Sequence, residues 1–168
     1  ALIALDDIDA ALALSGRLRR ELPELVALEV GFADGIALVT AHTGLPEPFD
    51  PPAPVVLLAE VTGRAGETDA LLGRLGGLLD AAAEVRGTAV ATDAAGCARL
   101  WRYREAHAEA INAIGIPHKL DVSIPFTRMR EFARAVRVRV AEVAPDATTV
   151  LFGHIGDGNL HVNVLGPA

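Results

Sequence analysis

With 168 residues, 51% of them hydrophobic, the chain is long enough for one domain with a substantial core. A net charge of −7 argues against a nucleic-acid partner, which would require a basic face. No apolar run is long enough to span a membrane, and the single cysteine, Cys97, excludes an internal disulfide and fits a reducing compartment, so a cytoplasmic location is expected.

The opening residues ALIALDDIDAAL have no basic stretch followed by a cleavage pattern and no initiating methionine, so the chain is expected to be excised from a longer one. ALIAL reads as a short buried strand, with Asp6 or Asp7 capping the helix that follows. Ile8, Leu12, Ser15, Leu18 and Leu22 recur at helical spacing, and the helix ends before Pro23. LVALEVGF is the next strand, DGIALVTAHTG a short helix or helix-like turn, and LPEPFDPPAP a surface loop, because adjacent prolines exclude helix and central strand. VVLLAEVTG is the clearest strand. A helix from about Ala65 to Arg86 follows, then the strand TAVAT and one long helix through CARLWRYREAHAEAINAIG. HKLDVSIP alternates as a strand, with Leu120, Val122 and Ile124 on one face and Lys119, Asp121 and Ser123 on the other. A basic helix around RMREFARAVRVRVAEV completes the series. Strands linked through single helices, with a hairpin at the end, predict an α+β fold with a largely antiparallel sheet.

The hairpin is FGHIGDGNLHVNV, from Phe152 to Val164. Asp-Gly between β-compatible segments favours a two-residue type I′ turn, since both central positions need positive φ. With Asp157 and Gly158 at those positions, His154 stands opposite His161, and facing Cβ atoms in such a pair are about 4.5–5.5 Å apart. Two imidazoles at that separation can converge on one metal ion. The alternative is two half-exposed histidines beside a turn. Alternation puts Leu151, Ile155, Leu160, Val162 and Val164 on an apolar face. Phe152, His154, Asn159, His161 and Asn163 fall on a polar one.

Taken in order, LWRYRE, HKLDVSIP and GHIGDGNLH make the chain resemble the C-terminal substrate (cap) domain of FAD-linked D-2-hydroxyacid dehydrogenases and oxidases. That group includes D-lactate, glycolate and D-2-hydroxyglutarate enzymes, and the resemblance extends from the opening strand to Gly166. It implies a ferredoxin-like α+β layer, with residues 1–168 forming one substrate-binding domain that is truncated at its C-terminal end. It also implies roles: His154 and His161 as metal ligands, Arg104 as the grip on a substrate carboxylate, Lys119 near the substrate, and Asn159 steadying the site. The metal is expected to be divalent, zinc first. FAD is expected to be bound mainly by a separate FAD-binding domain of the parent chain, and the substrate to be a small 2-hydroxyacid.

The implied reaction is hydride transfer from the substrate C2 to the flavin, the metal polarising the 2-hydroxyl. A Glu-His pair carrying a metal ligand and the base is expected beyond Ala168, so no catalytic residue is assigned here, and the fragment alone is expected to be inactive and prone to self-association. Arg104 and Lys119 together favour an anionic acid, a dicarboxylate such as 2-hydroxyglutarate being one option, although Ala108 offers no hydroxyl for a second carboxylate. A non-catalytic ferredoxin-like binding or regulatory module is the competing reading, and it expects His154 in solvent without convergence. Among the remaining residues, His107 reads as a helix-surface histidine, His118 as a packed one, Trp101 as core and Cys97 as inert. His42 has no evident partner.

Overall fold

Asp7 stands just outside the first helix with extended backbone, and its side chain accepts a hydrogen bond from the Ala10 amide, satisfying one of the donors that a helix start leaves open. The helix it starts, α1 (Ile8–Glu21), buries Ala11, Leu14, Ser15 and Leu18, the repeat expected of a one-sided helix. Such amphipathic units recur along the computed structural model, which describes residues 1–64 and 66–166. The strands are β1 (Leu2–Leu5), β2 (Leu25–Phe32), β3 (Val55–Val61), β4 (Val85–Ala89), β5 (His118–Ser123), β6 (Thr148–Gly153) and β7 (Asn159–Leu165). The other helices are α2 (Ala33–Thr43), α3 (Thr68–Asp80), α4 (Ala94–Glu105), α5 (His107–Ile114) and α6 (Met129–Val143).

The strands form one antiparallel sheet in the order β4-β1-β3-β2-β6-β7-β5. Its first half, β1-α1-β2 and β3-α3-β4 in the spatial order 4-1-3-2, is a ferredoxin-like unit with α2 inserted between the two repeats. Through the β2–β6 pairing the sheet continues into β6, β7 and β5. Helices cover both faces. On one, Leu14, Leu18, Leu75, Leu79 and Met129 from α1, α3 and α6 pack on Ile3, Leu28, Leu57, Leu151 and Val162. On the other, Ile36 of α2 and Tyr103 of α4 meet Leu2, Val56 and Leu58, while Ile111 of α5 meets Val150 and Phe152. Fully burying an aliphatic or aromatic side chain contributes roughly 1.5–3 kcal/mol, so both faces hold the sheet. No helix of the described residues is long and apolar enough to cross a membrane.

Three expectations are corrected. The long helix through residues 97–115 is two helices, because Ala106 takes a ψ of −6 and is completely buried between α4 and α5. The helix expected from Ala65 to Arg86 is confined to Thr68–Asp80, and Ala65 lies outside the described residues. The final hairpin does not turn in two residues. Its strands pair Phe152 with His161, and His154 lies in a longer loop whose residues Ile155–Asp157 form a single 3-10 turn. The His154 carbonyl accepts from the amides of both Asp157 and Asn159, which closes that loop. The register differs by two residues, and a two-residue shift preserves every side chain's face, so the polar and apolar alternation survives.

The loop is fixed by two other parts of the chain. Arg19 of α1 donates to the Gly156 carbonyl at 2.8 Å, and the Gly158 carbonyl accepts from the Ile124 amide at 2.7 Å. Gly158 has φ +75, and a Cβ there would run into the Ile124 carbonyl oxygen. Gly158→Ala should therefore destabilise the fold by about 1–3 kcal/mol, read as a lowered urea midpoint. An unchanged midpoint would show that the loop is not held as described.

Candidate functional site

The sheet register determines which side chains meet. Glu29 and Gly31 of β2, Phe152 of β6, His161 of β7 and Asp121 of β5 lie on one face, because Gly31 pairs with Phe152, Phe152 with His161 and His161 with Asp121. Helix α4 crosses this face and brings Arg104 over it. The guanidinium carbon lies 4.9 Å from the centre of the Phe152 ring, a cation–π position.

Glu29 is the hub. One carboxylate oxygen accepts from Arg104 Nε at 2.6 Å and the other from His154 Nδ1, also at 2.6 Å. Its side chain is only 7% exposed, so without these partners the carboxyl group would be buried at considerable cost. Arg104 Nη2 lies 3.3 Å from His154 Nε2, closing a triangle of three side chains from β2, α4 and the hairpin loop. The His154 side chain remains 43% exposed, so the cluster is open to solvent on one side.

His161 completes the arrangement. Its ring centre is 5.3 Å from that of His154, nearly perpendicular to it, and 5.0 Å from that of Phe152. Nδ1 of His161 is 3.5 Å from Asp121, whose other oxygen accepts from the Asn159 amide. Burial holds the His161 pKa below the usual histidine value. Asp121 opposes that shift, and the charge of Arg104 adds to it. His161 is thus biased towards the neutral imidazole, the form that ligates metal.

Of the residues expected from the sequence, the structure brings Arg104, His154 and His161 into one cluster. Asn159 is bound to Asp121 at its margin. Lys119 shares the face but sits on the edge strand β5, exposed and paired in register with Asn163. With Nδ1 of His154 turned to Glu29, its Nε2 is the atom available to a cation, beside which Arg104 now lies. Together with His161 the described residues offer two imidazole donors, and among them no group of three His, Cys, Asp or Glu side chains is assembled around one point. The donor chemistry suits a divalent transition metal, as half of a coordination sphere.

Several residues were missed or misassigned. Glu29 went unnoticed inside LVALEVGF, although a lone acid in an otherwise apolar strand is the signal for a buried, partnered carboxylate. Asn163 is 3% exposed on the same face, and its side-chain nitrogen has no hydrogen-bond partner among the described residues. His107 is not a surface residue. It is 1% exposed, stacks on Phe152 with ring centres 4.6 Å apart, and donates from Nδ1 to the Arg104 carbonyl at 3.1 Å. His118 is exposed on the edge strand instead of packed, His42 pairs with Glu109 at 2.9 Å, and Trp101 is half-buried and donates to Glu60.

Fold and cluster together define an antiparallel α+β domain with a buried carboxyl group holding an arginine and a histidine at one edge of its core. The family model for FAD linked oxidases, C-terminal domain, matches residues 1–167. The chain belongs to that family. It is similar to the D-2-hydroxyglutarate dehydrogenase of Xanthomonas citri pv. viticola, 47% identical over 70 residues that make up 42% of this chain and 15% of that protein. It is similar, too, to the mitochondrial D-2-hydroxyglutarate dehydrogenases of Rattus norvegicus and Bos taurus. Each is 35% identical over 147 residues, which are 86% of this chain and 26% of the relative. The chain thus spans about a quarter or less of the relatives it matches.

Burial gives His107 a pKa of about 4, lowered from 6.5, while the Arg104 carbonyl partly offsets the shift. The unfolded chain then binds this proton and the folded one does not, so stability should fall as pH drops from about 6.5 to about 4 and be fully present above that window. A shift of this size corresponds to at most about 3 kcal/mol. In an NMR titration the His107 ring signals should remain those of the neutral form down to about pH 5. A midpoint at the ordinary histidine value would contradict its packing.

Proposed function

We propose that this domain is the substrate- and metal-binding part of an FAD-dependent enzyme that oxidises a D-2-hydroxyacid to the 2-oxoacid. The observation that carries the reading is the Glu29–Arg104–His154 cluster with His161 beside it, in a chain of the FAD-linked oxidase family. Nε of Arg104 is taken by Glu29 and Nη2 lies against His154 Nε2, so Nη1 is the uncommitted donor; with a cation on Nε2, Nη2 would be released to join it and grip the substrate carboxylate with paired, charge-assisted hydrogen bonds. Lys119 offers a positive charge further out on the same face. Asn159 keeps Asp121 in place behind His161.

His154 and His161 would hold a divalent ion, zinc being the first candidate, with other ligands from outside the described residues. Bound there, the ion would supply Lewis acidity to the substrate's 2-hydroxyl. The flavin would be held mainly by a separate FAD-binding domain of the parent chain, facing the open side of the cluster, so this domain alone would not turn over substrate. The names of the relatives favour 2-hydroxyglutarate as the acid. The two cations Arg104 and Lys119 suit a dicarboxylate. Self-association of the isolated domain is also proposed, through the exposed edge strand β5, where Leu120 is 54% exposed.

Arg104→Lys in the whole enzyme is the test. Lysine preserves the charge opposite Glu29 but cannot present two parallel donors. Losing one charge-assisted hydrogen bond of about 1.5–3 kcal/mol should raise KM for the hydroxyacid roughly 10- to 150-fold. An unchanged KM would refute the role given to Arg104.

A further inference from the structure

We infer that Glu29 is a positioning residue: it fixes which nitrogen of His154 carries the proton and turns the donor edge of Arg104 to the same point. This rests on the reading of Arg104 and His154 as substrate and metal groups. The argument itself is one of hydrogen-bond bookkeeping. A guanidinium has only donors, so the His154 Nε2 that faces Arg104 Nη2 at 3.3 Å must be the bare, accepting nitrogen. The proton is then on Nδ1, where an oxygen of Glu29 receives it at 2.6 Å. The other oxygen holds Arg104 by Nε, and the guanidinium is planar, so fixing Nε fixes the direction of both Nη groups. One carboxyl group thereby sets the tautomer of a histidine and the orientation of an arginine. These come from elements 50 residues apart in sequence.

The burial of Glu29 supports this role. An acid paired only for solubility would sit at the surface. Here both oxygens are used inward, on a strand whose other residues are all apolar. A carboxylate behind a ligating histidine orients the ring and raises its basicity, and loss of such a partner typically weakens metal binding 10- to 100-fold.

Glu29→Gln separates positioning from packing, because the side chains have the same shape. An amide oxygen can accept from only one of the two donors, and its NH2 group faces the other. If Arg104 keeps the oxygen, the NH2 donates to His154 Nδ1, and the ring proton moves to Nε2. Long-range proton–nitrogen NMR spectra of the metal-free full chain, taken above the histidine titration range, read this directly. The wild type should show His154 protonated at Nδ1. The variant should show it at Nε2, with zinc affinity by calorimetry down by about 10- to 100-fold. A variant that keeps the wild-type tautomer and zinc affinity would overturn the inference. Should the variant not fold, the wild-type spectrum still decides, since a proton on Nε2 there would overturn it alone. Arg104→Lys tests the functional reading separately: a normal KM in that variant with a tautomer switch in Glu29→Gln would remove the substrate role and leave the positioning role intact.

Discussion

The site depends on one buried carboxyl group. Glu29 lies in the middle of β2, where its neighbours Leu28 and Val30 face the opposite core, and it accepts two hydrogen bonds at 2.6 Å from side chains 75 and 125 residues later in the chain. Charge-assisted hydrogen bonds to buried carboxylates are among the stronger single polar contacts, and removing one partner leaves an uncompensated buried charge that typically costs 3–5 kcal/mol. The cluster therefore locks β2, α4 and the β6–β7 loop into one arrangement and is itself held by the sheet. Tertiary structure and site geometry are the same fact viewed at two scales.

Around this hub the supports are mostly apolar or neutral. Phe152 has the rings of His107 and His161 against it and the guanidinium of Arg104 over it, so three groups rest on one ring. His107 must stay neutral to remain there, and its Nδ1 proton is committed to the carbonyl at the end of α4. That hydrogen bond coincides with the break at Ala106, where the helix stops and a second begins. A side chain competing with the helix backbone for a carbonyl explains why a periodic segment divides in two. The break turns His107 inwards and leaves Arg104 at the end of its helix, above the site.

Most of the fold was legible from periodicity. Strands such as VVLLAEV and LVALEVGF, and the one-sided helix α1, have short-range patterns that local rules recognise. The order in which the strands lie beside one another was not legible, because it is decided by contacts distant in sequence. Arg104, His154 and His161, singled out by their motifs, come together in the structure, and Lys119 lies on the sheet face that alternation gave it. Glu29 was not found: a lone acid in an apolar strand signals a buried carboxylate, but its two partners are remote in sequence and no local pattern names them. The hairpin shows the same limit more finely. Asp-Gly identified a turn, but the loop is longer than two residues because Arg19 and Ile124, from other elements, hold it open. Face was predictable, register was not.

The central claim is that Glu29 presents Arg104 and His154, with His161 beside them, to a common point where a hydroxyacid and a divalent ion would meet. A crystal structure of the whole enzyme with zinc and a bound 2-hydroxyacid, with anomalous data at the zinc edge, tests it most directly. The account predicts an anomalous peak about 2.0–2.1 Å from Nε2 of both His154 and His161, Nδ1 of His154 still on Glu29, and the carboxylate on the Nη edge of Arg104. A metal bound at Nδ1 of His154, or an acid seated away from Arg104, would contradict it.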